Sequence, residues 1–111
     1  MVKVWNYILY REVMMSKYNR SNILKRADKL VSSDREVEHG DAKKNFEMVA
    51  NLWSTYLGYD IFPHEVPMMM TLYKIARTTE NPSNADNYVD ACGYSALAGE
   101  QVPTINKGES K

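Results

Sequence analysis

The chain has 111 residues, enough for one domain and little more. Lys and Arg total 14 and Asp and Glu total 14, so no global charge draws it to nucleic acid or to an anionic membrane. At 44% apolar and 25% charged the composition is that of a soluble globular protein, with no apolar run near the roughly 18 to 20 residues that span a bilayer and only one cysteine, Cys92, which leaves neither an intramolecular disulfide nor a cysteine-built zinc site.

Residues 1–20 form an apolar, aromatic segment carrying Trp5, Tyr7, Leu9, Tyr10 and Val13. Lys3, Asn6, Arg11 and Glu12 break it, and no small-residue cleavage site follows, so it reads as neither a membrane helix nor a signal peptide. Val2 and Val4 hint at alternation, while Trp5, Leu9 and Val13 fit a helix. A short helix or an extended arm packed on a neighbour is expected.

Helical spacing becomes clear over 22–33, where Ile23, Ala27, Leu30 and Val31 make one face between Lys25, Arg26, Asp28 and Lys29. The polar run 34–40 closes on Gly40 and reads as a connecting turn. Asp41 is the expected N-cap of a second helix, with Phe46, Val49, Ala50, Trp53, Tyr56 and Leu57 as its stripe and Gly58 just past its end. A third helix opens around Pro63 to Glu65 and stops between Thr78 and Pro82, with Val66, Met69, Met70, Tyr73 and Ala76 as the expected inner face. Pro67 falls in or just after its first turn; within that turn a proline is harmless, and deeper it costs a hydrogen bond and kinks the helix. Ser83 and Asp86 have the spacing of a capping box and place the fourth helix, cored by Ala85, Val89, Cys92, Ala96 and Leu97. Gly93 in mid-helix costs about 1 kcal/mol against Ala and predicts close approach of a neighbouring helix. Residues 101–111 are polar, aperiodic and expected to be a disordered tail. The expected fold is all-α: four main helices over 21–100, with the N-terminal arm added.

Phosphate loops, metalloprotease motifs and nucleophile elbows are missing. His39 and Asp41 lie against the start of the second helix, a place that attracts anions. Lys74 and Arg77, spaced i and i+3, suit either a clamp on phosphate or ion pairs with Asp86 and Asp90. Asp86 and Asp90, spaced i and i+4, share a face on which one Mg²⁺ could sit. Asn87, Asp90 and Tyr94 offer an amide, a carboxylate and a phenol along an overlapping face. The run Met68 to Met70 reads as core or interface.

Three stretches together resemble a family of small uncharacterised proteins of phages and prophages. The first is Arg35-x-x-x-His39-Gly40-Asp41-x-x-x-Asn45-Phe46 with Leu52-Trp53-x-x-Tyr56-Leu57. The second is His64-Glu65-Val66-x-Met68-Met69-Met70 with Leu72-x-Lys74-Ile75-Ala76-Arg77. The third is Asn81-Pro82-x-x-x-Asp86-Asn87-x-Val89-Asp90-x-x-Gly93-Tyr94. The family often has Tyr at the position of His39 and Ala at that of Pro67. More distantly, the pattern is similar to all-α nucleoside-triphosphate pyrophosphatases of the MazG type, whose acidic motifs bind Mg²⁺. Asp86 and Asp90 echo one such motif; the Asp41–Tyr56 helix has only Glu47 as an interior acid.

The leading expectation is a helical oligomer, a dimer or tetramer, that binds a phosphorylated nucleotide-like ligand. Lys74 and Arg77 would take phosphate, and Asp86, Asn87, Asp90, Tyr94, His39 and Asp41 would line the remainder. The phage resemblance implies that such a binder sequesters a host nucleotide immune signal in the host cytoplasm, without a cofactor. Two alternatives stand beside it. One is an Mg²⁺-dependent pyrophosphatase with Asp86 and Asp90 as metal ligands. The other is a protein-interaction module with no small ligand.

Overall fold

The computed structural model describes residues 18–32 and 41–103, and every regular element among them is an α-helix. The expected arm, the 34–40 turn with His39, and most of the expected tail lie outside the described residues.

Helix α1 spans Arg20–Val31. Its N-cap is Asn19, whose side-chain Oδ1 accepts the Asn22 N–H at 2.7 Å. Helix α2 spans Ala42–Leu57 and starts on Asp41 as expected, the carboxylate accepting from the Lys43 N–H at 3.0 Å. Gly58 closes it in the left-handed region, φ 81°, and donates its N–H to the Ser54 carbonyl at 2.8 Å. A side chain is strained there, so glycine is the residue that fits.

The connector to the next helix is clamped by one hydroxyl. Ser54 Oγ accepts the Ile61 N–H at 2.7 Å and donates to the Ile61 carbonyl at 3.3 Å. That bond holds the chain while the Ile61 side chain is buried. Helix α3 spans Glu65–Glu80. Pro67 is its third residue, where the missing N–H would have had no partner within the helix, and its ring is fully buried.

Helix α4 spans Ala85–Gln101. The cap corrects the sequence reading. Asn84 is the N-cap and accepts the Asp86 N–H at 3.0 Å, while Ser83 Oγ turns back to Asn81 Oδ1 at 3.3 Å. No Ser83–Asp86 capping box forms. Two capping residue types stand side by side, and the one nearer the helix takes the position.

Helices α3 and α4 pack along each other as a hairpin, and α1 lies on α4. Gly93 makes the second contact possible: a Cβ there would meet Val31 Cγ1 at 3.0 Å. The close approach expected at this glycine is present. Helix α2 closes the core, setting Phe46 and Ala50 against Ile61, Val66 and Leu97, with Val49, Trp53 and Tyr94 at the margin.

The inner face of α3 differs from expectation. Val66, Pro67 and Thr71 are buried, and Lys74 and Thr78 half-buried. Met69, Tyr73 and Ala76, expected inside, are exposed. On α3 the apolar side is largely the one left outward and the Thr71–Lys74–Thr78 stripe turns in, so hydrophobic periodicity misplaced Met69, Tyr73 and Ala76. Tyr56, Leu57 and Ala96 are exposed too.

Candidate functional site

The residues singled out in the sequence separate into three groups. On the first, Lys74 and Asp90 face each other from α3 and α4, Nζ to Oδ2 3.1 Å, with side chains 18% and 28% exposed. Of the two sequence readings for Lys74, the ion pair is the one present. Asp86 reaches the other way and meets Arg26 of α1 at 2.7 Å, on the open surface. Lys74 and Arg77 share the Tyr73 ring, each 5.8 Å from its centre, but differ in that Lys74 has a carboxylate against it.

Arg77 forms the second group with Tyr73. Its guanidinium lies 5.8 Å from the Tyr73 ring centre, and Nη1 donates to the Tyr73 hydroxyl at 3.4 Å. Among the described residues no carboxylate pairs with it. An exposed guanidinium beside an aromatic face can take a phosphate by two parallel hydrogen bonds and a base by stacking.

The third group is turned inward or capped. Asn87 is buried, and its Nδ2 has no hydrogen-bond partner among the described residues. Tyr94 is half-buried against the core. Asp41 is the cap of α2, and His39 lies outside the described residues.

For Mg²⁺ the donor set does not fit. Each of the two acids already has a cation on it, and they point to different helices. Among the described residues no three His, Cys, Asp or Glu converge. Multi-oxygen coordination of a hard cation needs more. Nor is any described helix long and apolar enough to cross a membrane.

A feature the sequence reading did not locate is a cavity of about 620 Å³ at the far end of the α3–α4 pair. Its walls include Ile61, Met68 and Met69 on one side and Ala98 and Val102 on the other. Asp60, His64, Glu65 and Ser95 supply its polar atoms. The signal in the sequence was the His64–Met70 run, which carried the family resemblance without a role.

A further surface feature is the outward side of α3. Met69, Leu72 and Ala76 repeat at three- and four-residue spacing, flanked by Met68 and Ile75 on one side and Tyr73 and Arg77 on the other. Leu72 is 59% exposed and Ile75 51%. A second such stripe runs along α2 through Met48, Leu52 and Tyr56.

Residues 22–102 match the model of a family described as a domain of unknown function, DUF6378. The gene 55 protein of Mycobacterium phage L5 is 40% identical over 77 residues, covering 68% of this chain and 49% of that protein. The gene 55 protein of Mycobacterium phage D29 is 34% identical over 73 residues, covering 66% of this chain and 48% of that protein. The chain thus spans about half the length of the curated relatives it matches. No solved structure matches it.

Proposed function

The chain belongs to the DUF6378 family, and from that premise we propose that it is a self-assembling helical protein that holds a phosphorylated, nucleotide-like ligand where copies meet. The outward face of α3 carries this reading. Its apolar seam has the three-four spacing with which one helix packs on another. The zero net charge sets up no repulsion between copies. Pairing along the seam leaves Tyr73 and Arg77 together at the edge of the interface. An arginine in that position has its charge partly desolvated and no carboxylate to offset it, so an anion is the complementary partner.

The ligand site is accordingly smaller than the sequence expectation. Arg77 takes the phosphate and Tyr73 the base or sugar face. Lys74 and Asp90 hold α3 to α4 beneath it and keep Arg77 in place. On this reading the ligand is retained rather than converted; among the described residues no three His, Cys, Asp or Glu converge on a metal site. In an infected cell such a protein would withdraw a nucleotide signal from solution.

Ligand recovery tests this. Pure protein is incubated with canonical nucleotides and with cyclic and ADP-ribose-type nucleotides, with and without Mg²⁺, washed, and then heat-denatured. The expected result is one ligand class that leaves solution and returns intact on heating. Arg77→Ala should weaken its retention by tenfold or more, about 1.4 kcal/mol. A product formed only with Mg²⁺, or retention equal in Arg77→Ala, overturns the proposal. Retention of nothing, by a chain that still self-associates, leaves the seam as a protein-docking surface alone.

A further inference from the structure

We propose that the cavity between the start of α3 and the end of α4 is a second binding site, one that takes a cationic head on an apolar stem. It lies on other residues than Arg77, and of the α3 seam it shares only Met68 and Met69.

Size and lining come first. At about 620 Å³ it falls within the range of small-molecule sites. Met68 and Met69 give one wall, and methionine side chains adapt to the outline of a guest. Ala98 and Gly99 keep the opposite wall low, and a Cβ built on Gly99 meets nothing within 4 Å. An apolar stem of several carbons has room there.

The sign of the head follows from three observations. Among the described residues Asp60 and Glu65 are the charged groups of the lining, with no Lys or Arg beside them. Glu65 is fixed in place: its Oε1 accepts the Phe62 N–H at 2.9 Å, which leaves Oε2 for a guest. The third is the pair of helix ends. The N-terminus of α3 is positive, but Glu65 in its first turn already answers it. The C-terminus of α4 is negative, and no basic residue stands in its last turn. The unanswered pole and both carboxylates favour a cation. His64, stacked on Phe62 with ring centres 6.3 Å apart, closes the side nearest the α2–α3 connector. A phosphate-bearing ligand is the wrong guest for this cavity.

A protonated amine or guanidinium on an alkyl stem has the required chemistry, and two sources supply it. One is a free alkylamine; the other is a lysine or arginine side chain of a partner peptide. Calorimetric titration of the full chain separates them. The probes are hexylammonium, 1-hexanol, hexanoate, and the acetylated, amidated tripeptide Leu-Lys-Leu. Hexylammonium is expected to bind about tenfold more tightly than hexanol, with hexanoate weaker than either. Glu65→Gln keeps the acceptor for the Phe62 N–H and removes the charge, so it should abolish the preference for the cation over the alcohol. Gly99→Leu fills the cavity from a position with open space and should remove binding of every probe while helix content stays unchanged. Tighter binding of the tripeptide than of hexylammonium assigns the site to a protein partner; the reverse assigns it to a free amine. Equal binding of hexanoate and hexylammonium, or binding that survives Gly99→Leu, overturns the proposal.

Discussion

Two ion pairs of similar length join helices to α4, and their surroundings set different weights on them. Arg26 and Asp86 meet at 2.7 Å with side chains 44% and 69% exposed, so water screens them and competes for both. Such pairs contribute about 0 to 1 kcal/mol. Lys74 and Asp90 are 18% and 28% exposed, and removing one partner leaves a charge in a half-dry seam. Asp90→Asn should therefore lower stability by about 1 to 2 kcal/mol, and Arg26→Ala by no more than about 0.5. Urea unfolding reads both as shifts in midpoint at constant slope; equal shifts would contradict the ranking. Two glycines of α4 divide in the same way. A Cβ at Gly93 presses on Val31 at 3.0 Å, and one at Gly99 finds open space. Gly93→Leu should cost about 1 to 3 kcal/mol by overpacking against α1. Gly99→Ala should gain about 0.5 kcal/mol from helix propensity. A Gly93→Leu chain as stable as the parent would mean that α1 is not held at this contact.

At the scale of elements, helix ends were readable where the chemistry allows one answer. Asp41 and Gly58 bracket α2 because an acceptor is needed at the first turn and a left-handed residue just past the last. The start of α4 offered Ser83 and Asn84 together, and spacing favoured the wrong one. The bond from the Asp86 N–H to Asn84 Oδ1 predicts that Asn84→Ala costs about 1 kcal/mol. Ser83→Ala, whose hydroxyl reaches only Asn81, should change stability by less than about 0.5 kcal/mol. Thermal melts of the two variants decide between the caps, and a larger loss in Ser83→Ala would restore the capping box. The face of α3 was misread because its broad apolar side, Met68, Met69, Leu72, Ile75 and Ala76, is the one left outward while its polar stripe turns in. Its inner face was chosen by Thr71, Lys74 and Thr78, whose spacing i, i+3 and i+7 lays them along α4, with Lys74 opposite Asp90. A polar residue is a poor sign of exposure when the neighbouring helix offers it a partner. The same reason explains why Lys74, Asp86, Asn87 and Asp90 looked like one cluster. Asp86, Asn87 and Asp90 nearly share a face of α4, with Lys74 on α3; in the fold one carboxylate turns to α1, the other to α3, and Asn87 goes inside. The cavity was not readable either, since it joins residues 59–69 to residues 95–102, and no spacing rule links them.

The whole molecule is short of buried large side chains. Among the described residues, Ala27, Ala42, Ala50, Ala85 and Ala98 are half of the ten buried hydrophobics. Leu52, Tyr56, Phe62, Leu72 and Ile75, by contrast, are each more than half exposed. A small alanine-rich core permits close helix packing but supplies limited apolar burial, at roughly 25 cal/mol per Å². Contiguous exposed apolar side chains mark interaction sites, and the seam centred on Leu72 is the surface on which the proposed self-association is tested. Sedimentation velocity across a hundredfold concentration range is the direct measurement. The parent chain should sediment as a dimer or larger species. Leu72→Glu places a charge in the middle of the seam at a residue that contributes little to its own fold, so helix content should hold while the chain becomes monomeric. Arg77→Ala, at the edge of the same face, should keep the assembly and lose the ligand. The two variants thus separate assembly from recognition. A parent chain that is monomeric throughout the range removes the shared interface, and with it the placement of a ligand between copies.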